Sequence, residues 1–124
     1  MTPTKIHLHK VSRQLELAFD DGLTAILSAE FLRVHSPSAE VRGHTPAQAQ
    51  LVHGKQMVAI NALQPVGQYA IKIVFDDGHD TGLYTWQYLH DLAEHQPQYW
   101  AEYQDRLAQA GKTREPPPDL FKPA

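Results

Sequence analysis

The densest group of titratable side chains in the sequence is Asp76-Asp77-Gly78-His79-Asp80, three carboxylates and one imidazole within five residues. The chain has no cysteine, so carboxylate oxygen and neutral imidazole are the strong ligands left for a cation, and the same groups can do acid–base work. One reading of the cluster is therefore a small zinc or iron site on His79 with Asp76 and Asp77. The other is a solvated hairpin turn, because Asp and Gly are what tight turns select. An internal control favours the turn: Phe19-Asp20-Asp21-Gly22 repeats Phe75-Asp76-Asp77-Gly78 without the histidine. His79 and Asp80 are then the residues that turn chemistry leaves unexplained.

Other chemistry has little support in the residue order. The eight histidines contain no His-x-x-x-His pair and no His-Glu-x-x-His run, so no zinc motif is present. His7 and His9 share a strand face, where exposed imidazoles are the ordinary meaning. Gly-x-Ser-x-Gly, phosphate-cradling and dinucleotide-binding loops are missing too, which disfavours enzymes of those kinds. Among the aromatics, Trp86, Tyr99 and Tyr103 fall on helical stripes that read as core, whereas Tyr88 and Trp100 fall off them and are surface candidates. A net charge of −3 with scattered Lys and Arg points away from nucleic acid. No segment reaches the roughly 18 apolar residues needed to cross a bilayer, and the first residues lack the apolar core of a signal peptide. The expected compartment is the cytoplasm.

The elements that must position these residues follow from hydrophobic period and punctuation. A length of 124 residues suits one domain, expected over 1–111, with a flexible Pro-rich tail over 112–124. Ile6 and Leu8, then Leu15, Leu17 and Phe19, alternate as half-buried strands do, and Asp20-Asp21-Gly22 turns the chain into a further strand to Leu27. Ser28 is placed to cap a short helix through Val34 that Pro37 stops. Residues 36–56 read as an irregular connection with a short strand at Glu40–Arg42. Met57–Leu63 and Tyr69–Phe75 read as strands joined by Gln64–Gln68, with Tyr69, Ile71, Ile73 and Phe75 on one face. A short extended piece near 81–84 leads to Thr85 as helix cap, Pro97 begins a last helix, and Gly111 ends it. The segments 17–32 and 73–89 match as strand, turn, strand and capped helix. The predicted fold class is α+β, with antiparallel hairpins forming a small sheet core packed with short helices.

Two stretches, Leu32-Arg33-Val34-His35-Ser36-Pro37-Ser38-Ala39-Glu40-Val41-Arg42-Gly43-His44 and 67–86, which holds Gly78-His79-Asp80-Thr81-Gly82 and Trp86, resemble the gamma-butyrobetaine hydroxylase-like N-terminal domain family. The similarity extends over roughly residues 5–95. In the hydroxylases this domain precedes a separate barrel holding iron and 2-oxoglutarate, for which this chain has no room, so the resemblance implies the accessory module alone and no enzyme. It further implies a zinc site of three cysteines and one histidine. Ser36, Ser38 and Val41 stand at the cysteine positions here and His79 at the histidine, so zinc is not expected as a cofactor and His79 is expected to tie the second turn to the Ser36–Ser38 loop. The family also occurs fused to an iron–sulfur scaffold protein, which makes a metalloprotein the implied kind of partner. The resulting expectation is a non-enzymatic accessory or interaction domain linked to iron–sulfur or oxygenase proteins, with a working face of Arg33, His35, Ser36, Ser38, Asp80 and Trp86; the alternative is a small metal-binding module on His79 and nearby carboxylates.

Overall fold

The computed structural model describes residues 1–43 and 49–118. Expectations touching His44 and residues 119–124 of the tail lie outside them. The chain is built twice on one plan. Strands β1 (Pro3–His9), β2 (Gln14–Phe19) and β3 (Thr24–Ser28) form an antiparallel sheet in the order β1-β2-β3, followed by helix α1 (Ala29–Val34). After the short helix α2 (Ala39–Arg42), strands β4 (Ile60–Val66), β5 (Ala70–Phe75) and β6 (Leu83–Thr85) form a second antiparallel sheet in the order β4-β5-β6, followed by α3 (Trp86–Glu94) and α4 (Gln96–Ala110). The first strand of each sheet carries a register shift, at Pro3/Lys5 and at Ile60/Ala62.

Period-two patterning places the core. Leu15, Leu17 and Phe19 point inward from β2, and Ile71, Ile73 and Phe75 from β5; both rows pack into one cluster with Leu27, Phe31, Leu32, Ile60, Leu89 and Leu92. Each such side chain contributes about 1.5–3 kcal/mol through burial. A second cluster joins Val34 to Tyr103 and Leu107 of α4. The helix starts are capped as the sequence predicts: Ser28 Oγ accepts from Phe31 N at 3.0 Å and Thr85 Oγ1 from Tyr88 N at 3.1 Å. Gly111 ends α4 in the left-handed region at φ 66°.

Four expectations need correction. Glu40–Arg42 is helix rather than strand, because Ser38 Oγ caps it by accepting from Glu40 N at 3.2 Å. The strand expected at Met57–Leu63 lies at Ile60–Val66 and takes in the first residues of the expected link, leaving Gly67 and Gln68 as turn. Pro65 is tolerated there because β4 is an edge strand, where a missing N–H leaves no ladder partner wanting. Tyr69 does not join the Ile71 face; it lies before β5 and is 55% exposed. At the start of the segment after Gly111, Thr113 O and Arg114 O accept from Gly54 N and Gln56 N, both at 2.9 Å, and the Arg114 guanidinium lies 5.0 Å from the centre of the Trp100 ring. Trp100, a surface candidate by spacing, is partly buried, packed against both clusters.

Candidate functional site

The two Asp-Asp-Gly turns use their carboxylates alike. In each, the first aspartate reaches a neighbouring strand or loop, Asp20 Oδ1 accepting from Thr2 N at 3.1 Å and Asp76 Oδ1 from Ala59 N at 3.0 Å. The second aspartate accepts from the amide two residues on, Asp21 from Leu23 N at 3.0 Å and Asp77 from His79 N at 3.1 Å. Gly22 and Gly78 take φ of 92° and 88°, which L-residues avoid. Turn geometry thus accounts for Asp76 and for one oxygen of Asp77. The other oxygen, Oδ2, takes Arg33 Nε at 2.8 Å and Lys55 Nζ at 2.6 Å. Burial pushes the Asp77 carboxyl up, but the Lys55 ammonium, the His79 amide and Arg33 together outweigh it and hold it below the usual range.

His79 is enclosed, its side chain 3% exposed. Nδ1 lies 3.1 Å from Glu40 Oε2 and Nε2 lies 2.8 Å from Ser36 Oγ. A carboxylate can only accept, so Nδ1 carries the proton and Ser36 donates to Nε2. Burial and the nearby Arg33 charge lower the His79 pKa, which keeps this neutral tautomer. Ser36 Oγ in turn accepts from Ser38 N at 3.2 Å, and Ser38 Oγ meets Thr81 Oγ1 at 2.6 Å. The expected link between second turn and Ser36–Ser38 loop is therefore present as a chain of hydrogen bonds.

The order carboxylate, imidazole, hydroxyl is that of a nucleophile relay, but Ser36 is 1% exposed. A Cβ on residue 82 would stand 2.5 Å from Ser36 Oγ, so no substrate carbonyl can approach the hydroxyl. Zinc does not fit either. Two hydroxyls and a valine cannot supply thiolates, both ring nitrogens of His79 are engaged, and the guanidinium of Arg33 lies close enough to depress the imidazole pKa. Among the described residues no three His, Asp or Glu side chains are grouped to hold a metal. Arg33 Nη1 is buried and has no hydrogen-bond partner among them.

The other expected site residues go elsewhere. Asp80 is exposed. Trp86 does not lie beneath His79: its indole donates to Gln68 O at 2.7 Å and it lines a separate depression with Met1, Tyr69, Thr85 and Gln87. His35 caps α1, with Nδ1 donating to Phe31 O at 2.8 Å, and opens on a trough of about 550 Å³ between α1, α2, α3 and α4. Burial lowers the His35 pKa, so its ring is neutral.

Sequence reasoning missed this trough. Its walls are His35 at the end of α1, Arg42 on α2, Tyr88, Asp91 and Leu92 on α3, and Tyr99, Glu102, Asp105 and Arg106 on α4. The Tyr88 hydroxyl donates to His35 O, and the Arg42 guanidinium lies 4.7 Å from the centre of the Tyr88 ring. Tyr99 donates to both oxygens of Asp91 at 3.0 and 2.9 Å. Two hints were legible, His35 in the expected working face and Tyr88 off its helix stripe; the rest comes from residues far apart in sequence.

The comparisons agree with this fold. The chain is 50% identical to a protein with an NMR solution structure, over 98% of this chain and 96% of that one, at a TM-score of 0.82. A second NMR solution structure is 51% identical, over 99% and 92%, at 0.78. A crystal structure of a protein of unknown function from Acidithiobacillus ferrooxidans ATCC 23270, ascribed to the DUF971 family, is 39% identical over 74% of this chain and 92% of that one, at 0.63. No curated protein matches. The family model described as "Gamma-butyrobetaine hydroxylase-like, N-terminal" matches residues 6–90, and the chain belongs to that family.

Proposed function

We propose that this chain is a non-enzymatic accessory domain that works by binding another protein along the trough between α1, α2, α3 and α4. The observation that supports this reading is a contrast between the two polar clusters. The group with reactive chemistry has its imidazole and hydroxyl, His79 and Ser36, buried against each other, with only Glu40 reaching solvent. The trough is open, concave and lined by tyrosine and arginine, the residue types most enriched at the energetic centres of interfaces. Metalloproteins of the iron–sulfur and oxygenase kinds are the first partners to try, since the related hydroxylases carry this domain beside an iron barrel.

Site-specific photo-crosslinking tests the proposal. A photoreactive residue at Asp105, on the trough rim, is compared in cells with the same residue at Val11, a fully exposed position on the loop after β1. The expected result is an adduct of one defined mass from position 105 and none of that mass from position 11. The same adducts from both positions, or none from 105, would refute it.

A further inference from the structure

The trough holds five charged side chains. Arg42 and Arg106 face it together with Asp91, Glu102 and Asp105. Opposite charges in so small a space ordinarily pair. Among the described residues, however, neither arginine lies within 4.0 Å of a carboxylate. The carboxylates take donors elsewhere: Asp91 from the Tyr99 hydroxyl and from His95 Nδ1 at 2.9 Å, Glu102 from Gln98 Nε2 at 3.2 Å, and Asp105 from Gln109 Nε2 at 3.0 Å. The Gln98 and Gln109 amides come along α4 and orient Glu102 and Asp105 without neutralising them. The Arg42 guanidinium lies 4.7 Å from the centre of the Tyr88 ring, an attraction that holds its charge at the trough wall, where a carboxylate can meet it.

His35 adds a third polar function. Its Nδ1 proton goes to Phe31 O, so Nε2 is left as an acceptor on the trough wall. An occupant matching the whole wall carries a carboxylate for the arginines, a cation for Glu102 and Asp105, and an N–H for His35. Free small molecules suit the trough poorly, because pockets for them bury most of the ligand, whereas Arg42, Glu102, Asp105 and Arg106 are all exposed. A chain passing through meets all three requirements at once, its backbone supplying the N–H.

We infer that the trough recognises a mixed-charge polypeptide segment of a partner protein, an acidic side chain seated on Arg42 and Arg106 and a nearby basic one on Glu102 and Asp105. This rests on the proposed binding function and specifies the chemistry of the partner. The partner segment need not be acidic or basic overall.

The test uses three blocked tripeptides, acetyl-Glu-Gly-Lys-amide, acetyl-Gln-Gly-Lys-amide and acetyl-Glu-Gly-Gln-amide, titrated into the ¹⁵N-labelled full chain. Saturable shifts are expected at His35, Arg42, Tyr88 and Arg106 in the millimolar range, with Glu-Gly-Lys bound roughly threefold or more tighter than either singly charged peptide. The variant R42Q/R106Q is expected to bind Glu-Gly-Lys and Gln-Gly-Lys equally while still preferring lysine; E102Q/D105N is expected to do the converse. All four replaced side chains are exposed, and undisturbed shifts at Leu15 and Ile73 verify the fold. Equal affinity for the three peptides, shifts confined to another face, or no saturation would overturn the inference. If the peptides fail while position 105 still yields its adduct, the binding function stands and the charge assignment falls. If the peptides bind but no adduct forms, the charge preference of the trough stands, and the partner-binding function falls together with the partner segment inferred from it.

Discussion

Gly82→Ala tests whether the His79 network carries fold stability. Gly82 is not among the glycines with positive φ, so the backbone tolerates alanine and the effect is steric. The new methyl would lie 2.5 Å from Ser36 Oγ, 3.1 Å from Tyr84 Cε1 and 3.5 Å from Pro37 Cδ. The first of these contacts cannot stand, and Ser36 Oγ must swing away from His79 Nε2, which it now meets at 2.8 Å. Leaving a buried nitrogen unsatisfied costs about 1–3 kcal/mol, and crowding a packed site costs about 1–3 kcal/mol more. The two overlap, since the swing relieves part of the crowding. We expect a net loss of about 2–4 kcal/mol out of the roughly 5–15 kcal/mol that holds a domain together. Urea unfolding of Gly82→Ala, Ser36→Ala and the double variant reads it directly. Ser36→Ala alone loses the hydroxyl and about 1–3 kcal/mol. With the hydroxyl gone the added methyl has far less to strike, so the double variant should be less destabilised than the sum by roughly 1–3 kcal/mol. A Gly82→Ala protein within about 0.5 kcal/mol of the parent, or strict additivity with Ser36→Ala, would refute the reasoning.

Three further outcomes follow, two from the tail and one from His35 and His79. Arg114→Ala removes both bonds to Glu30, at 2.9 and 2.8 Å, and strands a carboxylate that is 6% exposed; because Arg114 itself is 36% exposed, the expected loss is about 1–3 kcal/mol rather than that of a fully buried pair. Truncation after Gly111 should cost at least as much in thermal unfolding, and a truncated chain as stable as the parent would show that the tail contact carries nothing. His35 and His79 both have pKa values lowered by burial, so the unfolded chain takes up protons first, and their stabilisation is full above about pH 6.5 and lost as pH falls through the folded values. The urea midpoint should therefore drop between about pH 7 and pH 5, before the carboxylates titrate, and a midpoint that holds or rises across that interval would contradict the neutral assignment.

The fold was largely legible because its signals are local. Alternation at Leu15, Leu17 and Phe19, caps at Ser28 and Thr85, and the Asp-Asp-Gly turns each act over a few residues, and each is found where the sequence predicts. The misplacements share a cause: they depend on neighbours the sequence does not name. Pro65 reads as a strand breaker until β4 is known to be an edge, and Glu40–Arg42 reads as extended until Ser38 is seen to cap it. Arg114 looks like part of a loose tail until Glu30, far away in sequence, is found beneath it. Of the site, the link from His79 to Ser36 was legible through the family resemblance, whereas the trough was not. It is assembled from four helices, and its charges carry no motif.

The two halves of the chain are tied together by a reciprocal exchange that bears on how the fold arose. Asp21, in the first turn, has its free oxygen 2.7 Å from His90 Nε2 on α3 of the second unit. Asp77, the equivalent residue of the second turn, receives Arg33 Nε on α1 of the first unit at 2.8 Å. Arg33 and His90 each stand five residues past the cap of their helix, Ser28 and Thr85. Each turn is thus bound by the same position of the other unit's helix, as in a two-fold dimer where residue i meets j and j meets i. Shared turn chemistry alone could arise from hairpin geometry acting twice. Hairpin geometry does not specify which helical residue of the opposite unit must reach the turn, so the cross-pairing favours duplication of one strand–turn–strand–helix unit. The units then diverged at the contact: the first turn ends on Leu23, while the second continues into His79, which fastens the α1–α2 loop of its counterpart.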